Sequence, residues 1–229
     1  MVLTTAAVIP ARDEAATLPD TLRDLRTIAD LSHLIVSDDG SRDATPEIAR
    51  SLGAEVVGAS PAGKSAGKGH ALRSGLLRAR EHDPDAVLLA DADLGRSAHL
   101  LAALLTALEE GHPVAVAAFP PATNKGGFGL VKSFSRRAIA RRTGYAPSEP
   151  LSGQRALLIA ALDTLPGIAP GFGAEVGMTL DLLSAGMKPL EIALPLTHRP
   201  TGRNLPGFAH RARQGLDVLH ALRGARIPW

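Results

Sequence analysis

The chain of 229 residues contains no cysteine, which excludes disulfide bonds and thiolate metal sites and leaves histidine and carboxylates as metal ligands. Aromatic residues make up only 3% of the sequence, too few for the stacked platforms that bind single-stranded nucleic acids. The longest apolar run, Leu100 to Leu108 with its flanks, falls far short of the roughly 20 residues that cross a bilayer. Pro10 and Arg12 interrupt the N-terminal apolar stretch, unlike a signal peptide. We therefore expect no nucleic-acid partner and a cytoplasmic location, with peripheral contact at the inner membrane face as an alternative.

What the sequence does contain is typical of a globular domain. Apolar residues account for 45% and charged residues for 21% of the chain, which predicts a packed core. An α/β chain of this length often forms one unit, so we expect a single domain over residues 1–229. The net charge is only +2, and the sequence pI of about 9.3 comes mainly from arginine, whose guanidinium suits bidentate contacts with phosphate.

Apolar segments alternate with helical periodicity through the first half of the chain. Strands are predicted at Thr5–Ile9, His33–Val36, Glu55–Val57, Ala86–Leu89 and Val114–Ala118, and helices at Ala15–Ile28, Ala44–Leu52, His70–Arg80 and Leu100–Glu109. The third helix is placed after Gly69 because each glycine in a helix costs about 1 kcal/mol. This alternation predicts an α/β fold with a mostly parallel central sheet flanked by helices.

The second half of the chain has a different pattern. Residues 120–127 are typical of a turn or loop, and a basic helix, an apolar segment, a helix and a strand are predicted at Phe128–Arg142, Ala156–Leu162, Ala174–Ala185 and Leu190–Leu194. Gly207 to Arg223 forms an amphipathic pattern with basic residues beside its apolar face. Such a helix either packs on its own domain or contacts an anionic membrane surface.

Acidic, basic or glycine residues occur directly after apolar runs in four short segments. These segments are Val8–Glu14, Val36–Ser41, Gly67–Gly69 and Leu88–Asp93. The carboxyl ends of the strands form the ligand crevice of an open α/β sheet, so the segments are expected to meet there. Acids in that position can contact a base, a ribose and a metal, which indicates a nucleotide diphosphate ligand.

Each acidic motif also has a purely structural interpretation. The Asp38–Asp39 pair could form an Asx turn with a helix N-cap, and the Asp13–Glu14 pair would favour a helix N-terminus without any ligand. The side chains of Asp91 and Asp93 would diverge unless the strand ends before them in a turn. A turn would allow one of the two to bind Mg²⁺ or Mn²⁺ through hard oxygen atoms.

Taken together, the segments resemble the family 2 glycosyltransferases and their GT-A fold relatives. The family pattern is a Val-Ile-Pro-Ala-x-Asn-Glu opening, an Asp-Asp-Gly-Ser turn, a Gly-Lys-Gly segment and an Asp-x-Asp. Asp13 stands where the family usually has asparagine. Further along, Pro150–Arg155 and Gly171–Glu175 resemble the glucosyl-3-phosphoglycerate synthase and polyprenyl-phosphate glycosyltransferase branches.

The resemblance implies a GT-A transferase that moves a hexose from a UDP- or GDP-sugar with Mg²⁺ or Mn²⁺. Residues 1–118 would form the nucleotide-binding half and residues 119–229 the acceptor half. The residues expected to hold the nucleotide sugar are Pro10, Arg12, Glu14, Asp38, Asp39, Lys68, Asp91, Ala92, Leu151, Ser152, Gly153 and Gln154. A phosphorylated small molecule, a polyprenyl phosphate and a glycan all stay open as acceptors, and the chain could form a homo-oligomer.

The remaining candidate residues concern catalysis. By the resemblance, Asp93 would bind the metal and His198 would complete the metal site, although a lone histidine is often structural. Glu175 would act as the base that deprotonates the acceptor hydroxyl, although a glutamate in this place also suits a helix N-terminus. A phosphate of the donor or acceptor is expected to contact three residues after the last predicted strand: Arg199, Arg203 and Asn204.

Two other nucleotide-dependent functions fit parts of the sequence. Gly58–Ser65 matches the P-loop pattern of NTPases and follows a predicted strand, but its helix would start near Lys64 and place Gly67 and Gly69 in the first turns. Sugar nucleotidyltransferases share the parallel sheet, but they have a glycine-rich loop where this chain has Pro10–Asp13. A binding module without catalysis is a third class.

Replacing Lys64 separates the two leading interpretations. A P-loop enzyme would lose nearly all activity in Lys64→Ala, because this lysine would contact the β- and γ-phosphates. A glycosyltransferase that uses Lys68 should keep most of its activity in the same variant. Release of the nucleotide diphosphate measures the difference, and a collapse of turnover in Lys64→Ala would favour the P-loop.

Overall fold

The computed structural model describes residues 3–119, 129–197 and 215–229. The strands are β1 (Thr5–Ala11), β2 (Leu31–Asp38), β3 (Glu55–Gly58), β4 (Ala86–Leu89), β5 (Val114–Ala118), β6 (Arg155–Leu158) and β7 (Leu190–Ala193). The helices are α1 (Leu18–Leu25), α2 (Thr45–Ser51), α3 (Lys68–Arg80), α4 (Ala102–Glu109), α5 (Gly129–Thr143), α6 (Ile159–Leu162), α7 (Ala174–Ser184) and α8, described over residues 215–222. Short 3₁₀ segments precede α4 (Gly95–Leu101) and α7 (Gly171–Gly173).

The described strands form one seven-stranded sheet in the order β3-β2-β1-β4-β6-β5-β7. The strands β3, β2, β1 and β4 are mutually parallel, and β5 is parallel to β7. Strand β6 runs antiparallel to both of its neighbours, β4 and β5. The sheet is therefore mostly parallel, and the carboxyl ends of β1, β2 and β4 lie along one edge.

Alternate residues of β1 pack against different helices. Ala7 and Ile9 belong to a buried cluster with residues of α1 and α4, whereas Ala6 and Val8 belong to a cluster with residues of α3 and α7. Successive strand residues point to opposite faces, so helices cover both faces of the sheet. This arrangement confirms the predicted α/β class.

Two elements differ from their predictions. The apolar segment 156–162 contributes to both the antiparallel strand β6 and the short helix α6, because so short an apolar run does not distinguish strand from helix. Helix α3 begins at Lys68 rather than after Gly69, so the predicted start is wrong. Gly67 precedes the helix with a φ of 95°, a left-handed conformation that glycine adopts without steric cost.

Helix α8 packs on the second half of the chain. Val218 and Leu222 of α8 share a buried apolar cluster with Ile139 of α5 and with Val176 and Leu180 of α7. Part of the predicted amphipathic helix is therefore covered by protein, while residues 207–214 lie outside the described residues. Within the described ranges, no helix combines the length and the hydropathy that a membrane span requires.

The segment after α8 is held to the same region by polar contacts. Arg226 bonds both carboxylate oxygens of Asp181 on α7, at 2.6 Å and 2.7 Å. Ile227 and Ile168 exchange two backbone hydrogen bonds of 2.7 Å and 3.0 Å. The backbone that leads into α7 is thus bonded to the residues that follow α8.

Gly75 determines how closely α3 approaches β1. A Cβ atom at this position would lie 2.4 Å from Val8 Cγ1 and 3.3 Å from Ser37 Cβ. We expect Gly75→Ala to lower the free energy of unfolding by up to about 2 kcal/mol, because overpacking outweighs the gain in helix propensity. Urea denaturation provides the measurement.

The control is Gly215→Ala in α8, where a Cβ atom would have no neighbour within 4 Å. This variant should be as stable as the wild type or slightly more stable. Equal unfolding midpoints for the two variants would contradict close packing at Gly75.

Candidate active site

The loops that follow β1 and β2 are joined by hydrogen bonds. The Asp13 amide donates to Ser41 Oγ (3.0 Å), and the Arg42 amide donates to Asp13 Oδ1 (2.7 Å). The Glu14 amide donates to Thr45 Oγ1 (2.8 Å). Asp13 has a φ of 54°, in the left-handed region that asparagine and aspartate tolerate best among residues other than glycine. Aspartate thus supplies the side-chain oxygen and the backbone conformation that asparagine would supply there.

The two aspartates at the end of β2 have different partners. Asp38 accepts hydrogen bonds from the amide and the hydroxyl of Ser41, three residues further along the chain, so the contact is local but is not the predicted Asx turn. The Asp39 carboxylate accepts hydrogen bonds from the segment between β3 and α3, namely from the hydroxyls of Ser60 and Ser65 and the amides of Ala66 and Gly67. Burial raises the pKa of Asp39, but these hydrogen bonds outweigh burial and hold the pKa below its usual value.

Lys68, the first residue of α3, links two carboxylates from distant parts of the chain. Its Nζ lies 2.7 Å from Asp91 Oδ1, which follows β4, and 2.8 Å from Glu175 Oε1, in the first turn of α7. Burial alone lowers the pKa of Lys68, but the two carboxylates outweigh it and raise the pKa above its usual value. Lys68 is therefore a cation held between two acidic side chains.

The loop before β6 closes against this ion pair. Gln154 Nε2 donates a hydrogen bond of 2.5 Å to Asp91 Oδ2, and the Ser152 hydroxyl donates to Gln154 Oε1 at 3.2 Å. A Cβ atom at Gly153 would lie 2.8 Å from Lys68 Nζ and 2.9 Å from Asp91 Oδ1. A side chain at this position would therefore displace the Lys68–Asp91 pair. The half-buried Leu151 packs on the apolar cluster of α5, α7 and α8.

Gly69 allows the beginnings of α3 and α7 to meet. A Cβ atom at this position would lie 2.2 Å from the Ala169 carbonyl oxygen and 3.0 Å from the Gly171 amide nitrogen. The backbone that precedes α7 therefore lies directly on the first turn of α3. This contact brings Glu175 to Lys68.

Strand β4 ends at Leu89, and a turn at residues 92–93 follows. The strand alternation that would separate Asp91 from Asp93 therefore does not apply to them. Ala92 is buried and Asp93 is half-buried. Among the residues that the structure describes, no group of three or more histidine, aspartate and glutamate side chains is arranged to hold a metal ion.

The other predicted contacts differ in their surroundings. Pro10 is half-buried in β1, and Arg12 is exposed with its Nε 3.8 Å from Asp13 Oδ2. The Glu14 carboxylate accepts a hydrogen bond from the Thr17 hydroxyl. Four of the predicted metal, phosphate and acceptor residues lie outside the described residues: His198, Arg199, Arg203 and Asn204.

Arg155 lies at the start of β6 and is 1% exposed, and no role for it was predicted from the sequence. The sequence offered one signal for such a role, namely a charged residue directly before an apolar segment. Ser60 and Ser65 lie in the segment that matches the P-loop pattern, and their hydrogen bonds to Asp39 depend on the fold of the β3–α3 segment.

Comparison with known proteins identifies the family. Residues 6–157, well over half of the chain, match the model of glycosyl transferase family 2. The chain belongs to this family. Glycosyltransferase AglJ from Haloferax volcanii is 27% identical over 198 residues, which cover 84% of this chain and 63% of AglJ. The chain thus spans less than two thirds of the length of that curated relative.

Similarity to solved structures extends over 98% of the chain. Glucosyl-3-phosphoglycerate synthase from Mycobacterium tuberculosis, in complex with Mn²⁺, UDP and glucosyl-3-phosphoglycerate, is 27% identical with a TM-score of 0.74, over 98% of this chain and 81% of that chain. Its complex with Mn²⁺ and UDP-glucose is 26% identical with a TM-score of 0.73, over 98% and 80% of the two chains. These matches confirm the GT-A fold.

The P-loop alternative does not agree with the geometry of this family 2 fold. Helix α3 begins at Lys68, whereas a P-loop helix would include Lys64 and Ser65. The Ser65 hydroxyl donates a hydrogen bond to Asp39 instead. The segment Gly58–Ser65 therefore lacks the loop-to-helix junction that cradles phosphates in P-loop enzymes.

Replacing Lys68 tests whether the ion pair stabilises this site. Lys68→Met leaves the carboxylates of Asp91 and Glu175 without their shared cation. We expect the free energy of unfolding to fall by about 1–3 kcal/mol, less than for a fully buried pair, because the Lys68 and Asp91 side chains are 20% and 26% exposed. Urea denaturation measures the change.

A second substitution in the same background makes the test specific. Adding Glu175→Gln to Lys68→Met removes one of the two carboxylate charges that Lys68 had offset, so the double variant should be more stable than the sum of the single effects predicts. Strictly additive losses would show that Lys68 and Glu175 do not interact energetically.

Proposed function

We propose that the protein is a metal-dependent glycosyltransferase that moves a hexose from a UDP- or GDP-sugar to an acceptor hydroxyl. The proposal rests on one observation, the contact of Lys68 with Asp91 and Glu175 where the parallel strands end. Ligands of open α/β sheets bind at this edge. Family membership and the UDP and Mn²⁺ complexes of the related structures support the proposal.

Lys68 would act on the departing diphosphate. Negative charge develops on the leaving group during transfer, and a cation already fixed in a partly buried site stabilises that charge without reorganisation. The Lys68 ammonium would exchange its present carboxylate partners for diphosphate oxygens when the donor binds. Asp91 remains hydrogen-bonded to Gln154 and could then accept a hydrogen bond from a hydroxyl of the sugar or the ribose.

The turn after β4 suits a divalent cation. It carries two carboxylates within three residues, and hard oxygen ligands favour Mg²⁺ and Mn²⁺. Asp93 would hold the ion, with His198 and the donor diphosphate as further ligands. When bound, the ion would neutralise charge on the diphosphate. The Mn²⁺ complexes of the related structures support a divalent metal without distinguishing it from Mg²⁺ in this chain.

The nucleoside would lie between the loops that follow β1 and β2. Pro10, Arg12, Glu14 and Asp39 are the proposed contacts, and the hydrogen bonds between the two loops keep them together as one surface. Asp38 would orient the Asp39 loop through its hydrogen bonds with Ser41 rather than contact the base directly. Because Asp39 also bonds the β3–α3 segment, that segment would form a wall of the base site.

Glu175 is the proposed base for the acceptor hydroxyl. Its side chain is 4% exposed, and Lys68 lies 2.8 Å from it. In an inverting reaction, a carboxylate in this position would accept the hydroxyl proton as the new glycosidic bond forms. Release of Lys68 to the diphosphate would leave Glu175 able to take that proton.

We propose a phosphorylated small molecule as the acceptor class. Solved structures of the related synthase hold phosphoglyceric acid in one case and glycerol 3-phosphate in another. The acceptor phosphate would contact the residues that follow β7, for which Arg199, Arg203 and Asn204 are the candidates. A polyprenyl phosphate and a glycan are the other acceptors to include in an assay.

Thermal unfolding with UDP, GDP, ADP and ATP, each with and without Mn²⁺, tests the proposed donor. A ligand at 100 times its Kd adds about 2.7 kcal/mol of stability, so the correct nucleotide should raise the Tm measurably. The expected result is a Mn²⁺-dependent shift with UDP or GDP. A shift confined to ADP or ATP would overturn the proposal.

Asp93→Ala is the matched variant for the same experiment. It should lose the Mn²⁺-dependent part of the shift and the transfer activity, while its Tm without ligand stays close to that of the wild type. Lys64→Ala, which changes an exposed side chain of the β3–α3 segment, should keep both. Full activity in Asp93→Ala would remove Asp93 from the metal site.

A further inference from the structure

Arg155 is a buried cation that connects the loop before β6 to α7. Its Nε donates a 2.9 Å hydrogen bond to the Ser152 carbonyl, and its Nη1 donates a 2.9 Å hydrogen bond to Thr179 Oγ1. The Thr179 hydroxyl in turn donates to the backbone carbonyl of Glu175, also at 2.9 Å. A continuous path of hydrogen bonds therefore joins Ser152 to the residue that contacts Lys68.

The surroundings of Arg155 are unusual for an arginine. Burial lowers the pKa of Arg155 to about 10, although the negative charges of Glu175 and Glu191 act in the opposite direction. Burial and the Glu191 carboxylate raise the pKa of Tyr145 to about 12, so the phenol stays protonated near neutral pH. Taking a guanidinium out of water costs free energy, and an apolar side chain of similar volume often stabilises a core as well or better. The gain in stability alone does not explain an arginine here.

The two ends of this path, at Ser152 and Glu175, are connected a second time through the Lys68–Asp91 ion pair. Gln154, two residues after Ser152, bonds Asp91 at 2.5 Å, and Glu175 bonds Lys68 at 2.8 Å. Asp91 and Lys68 are themselves 2.7 Å apart. Arg155 thus closes a ring that fixes both partners of the Lys68–Asp91 pair relative to each other.

We propose that Arg155 is a positioning residue for glycosyl transfer, which holds the Leu151–Gln154 loop and the first turn of α7 in register around Lys68. It acts through Ser152 and Thr179 rather than on the substrate. The inference rests on the proposed function, because the groups that it aligns are the proposed donor and base contacts. A displacement of about 1 Å in such groups can cost roughly 100-fold in rate.

Steady-state kinetics of Arg155→Met and Arg155→Lys test the inference, with the UDP- or GDP-sugar whose nucleotide raises the Tm as the donor. We expect Arg155→Met to lower kcat by about 10- to 100-fold and to change the KM for the donor much less, because the proposed nucleoside contacts lie after β1 and β2. Arg155→Lys retains the charge and one of the two bonds, so it should recover part of kcat. Wild-type kcat for the folded fraction of Arg155→Met would overturn the inference, whatever the change in Tm.

Two further variants separate alignment from stability. Thr179→Val removes two bonds of the path, the one from Arg155 and the one to the Glu175 carbonyl, and keeps the buried charge, so it should lower kcat. Arg226→Met breaks another arginine contact to α7, at Asp181, and should lower the Tm while kcat stays unchanged. Equal loss of kcat in Arg226→Met and Thr179→Val would mean that α7 is merely destabilised.

Amide hydrogen exchange gives a readout that does not require turnover. In Arg155→Met, the amides of residues 151–154 and 171–176 should exchange faster than in the wild type, and those of β1 should not. Unchanged exchange in both segments would overturn the positioning role. A wild-type protein that turns over no UDP- or GDP-sugar would refute the proposed function instead, and the exchange result would still decide whether Arg155 fixes the two segments.

Discussion

The contact of Lys68 with two carboxylates is the interaction on which the rest of the site depends. A partly buried lysine between two acids is favourable only when its partners are held at hydrogen-bonding distance, because desolvation opposes the pair. Three glycines provide that closeness. Gly67 turns the chain into α3, Gly69 admits the backbone before α7, and Gly153 admits the loop before β6. Although Gly153 is distant from Gly67 and Gly69 in the sequence, all three glycines allow close approach around the Lys68 ammonium group.

The charges around Lys68 also explain why a metal belongs in the proposed mechanism. Lys68 and the buried Arg155 supply two positive charges, whereas Asp91, Glu175 and Asp93 supply three negative ones. A nucleotide diphosphate would bring still more negative charge to this edge of the sheet. A divalent cation that enters with the donor offsets that repulsion, so donor and metal binding would depend on each other.

The sequence predicted what local patterns encode and missed what depends on distant contacts. The first five strands followed from apolar segments between helices, and the strand ends followed from the polar residues after them. Strand β6 was missed because its direction and its place between β4 and β5 depend on pairing across the sheet. The role of Arg155 was missed because its partners, Ser152 and Thr179, meet only in the folded chain. The candidate contacts at 198–204 lie outside the described residues and stay predictions.

The position of β6 has a consequence for the order in which the protein can fold. Strand β4 pairs with β1 on one side, but its other neighbour comes from the second half of the chain. During synthesis, the first four strands emerge with an apolar edge at β4 that has no partner until residues 155–158 follow. Such an edge can pair with another chain, and slow long-range pairing prolongs its exposure. A fragment that ends after β5 would keep this edge permanently, so the nucleotide-binding half is a poor unit to express or graft by itself.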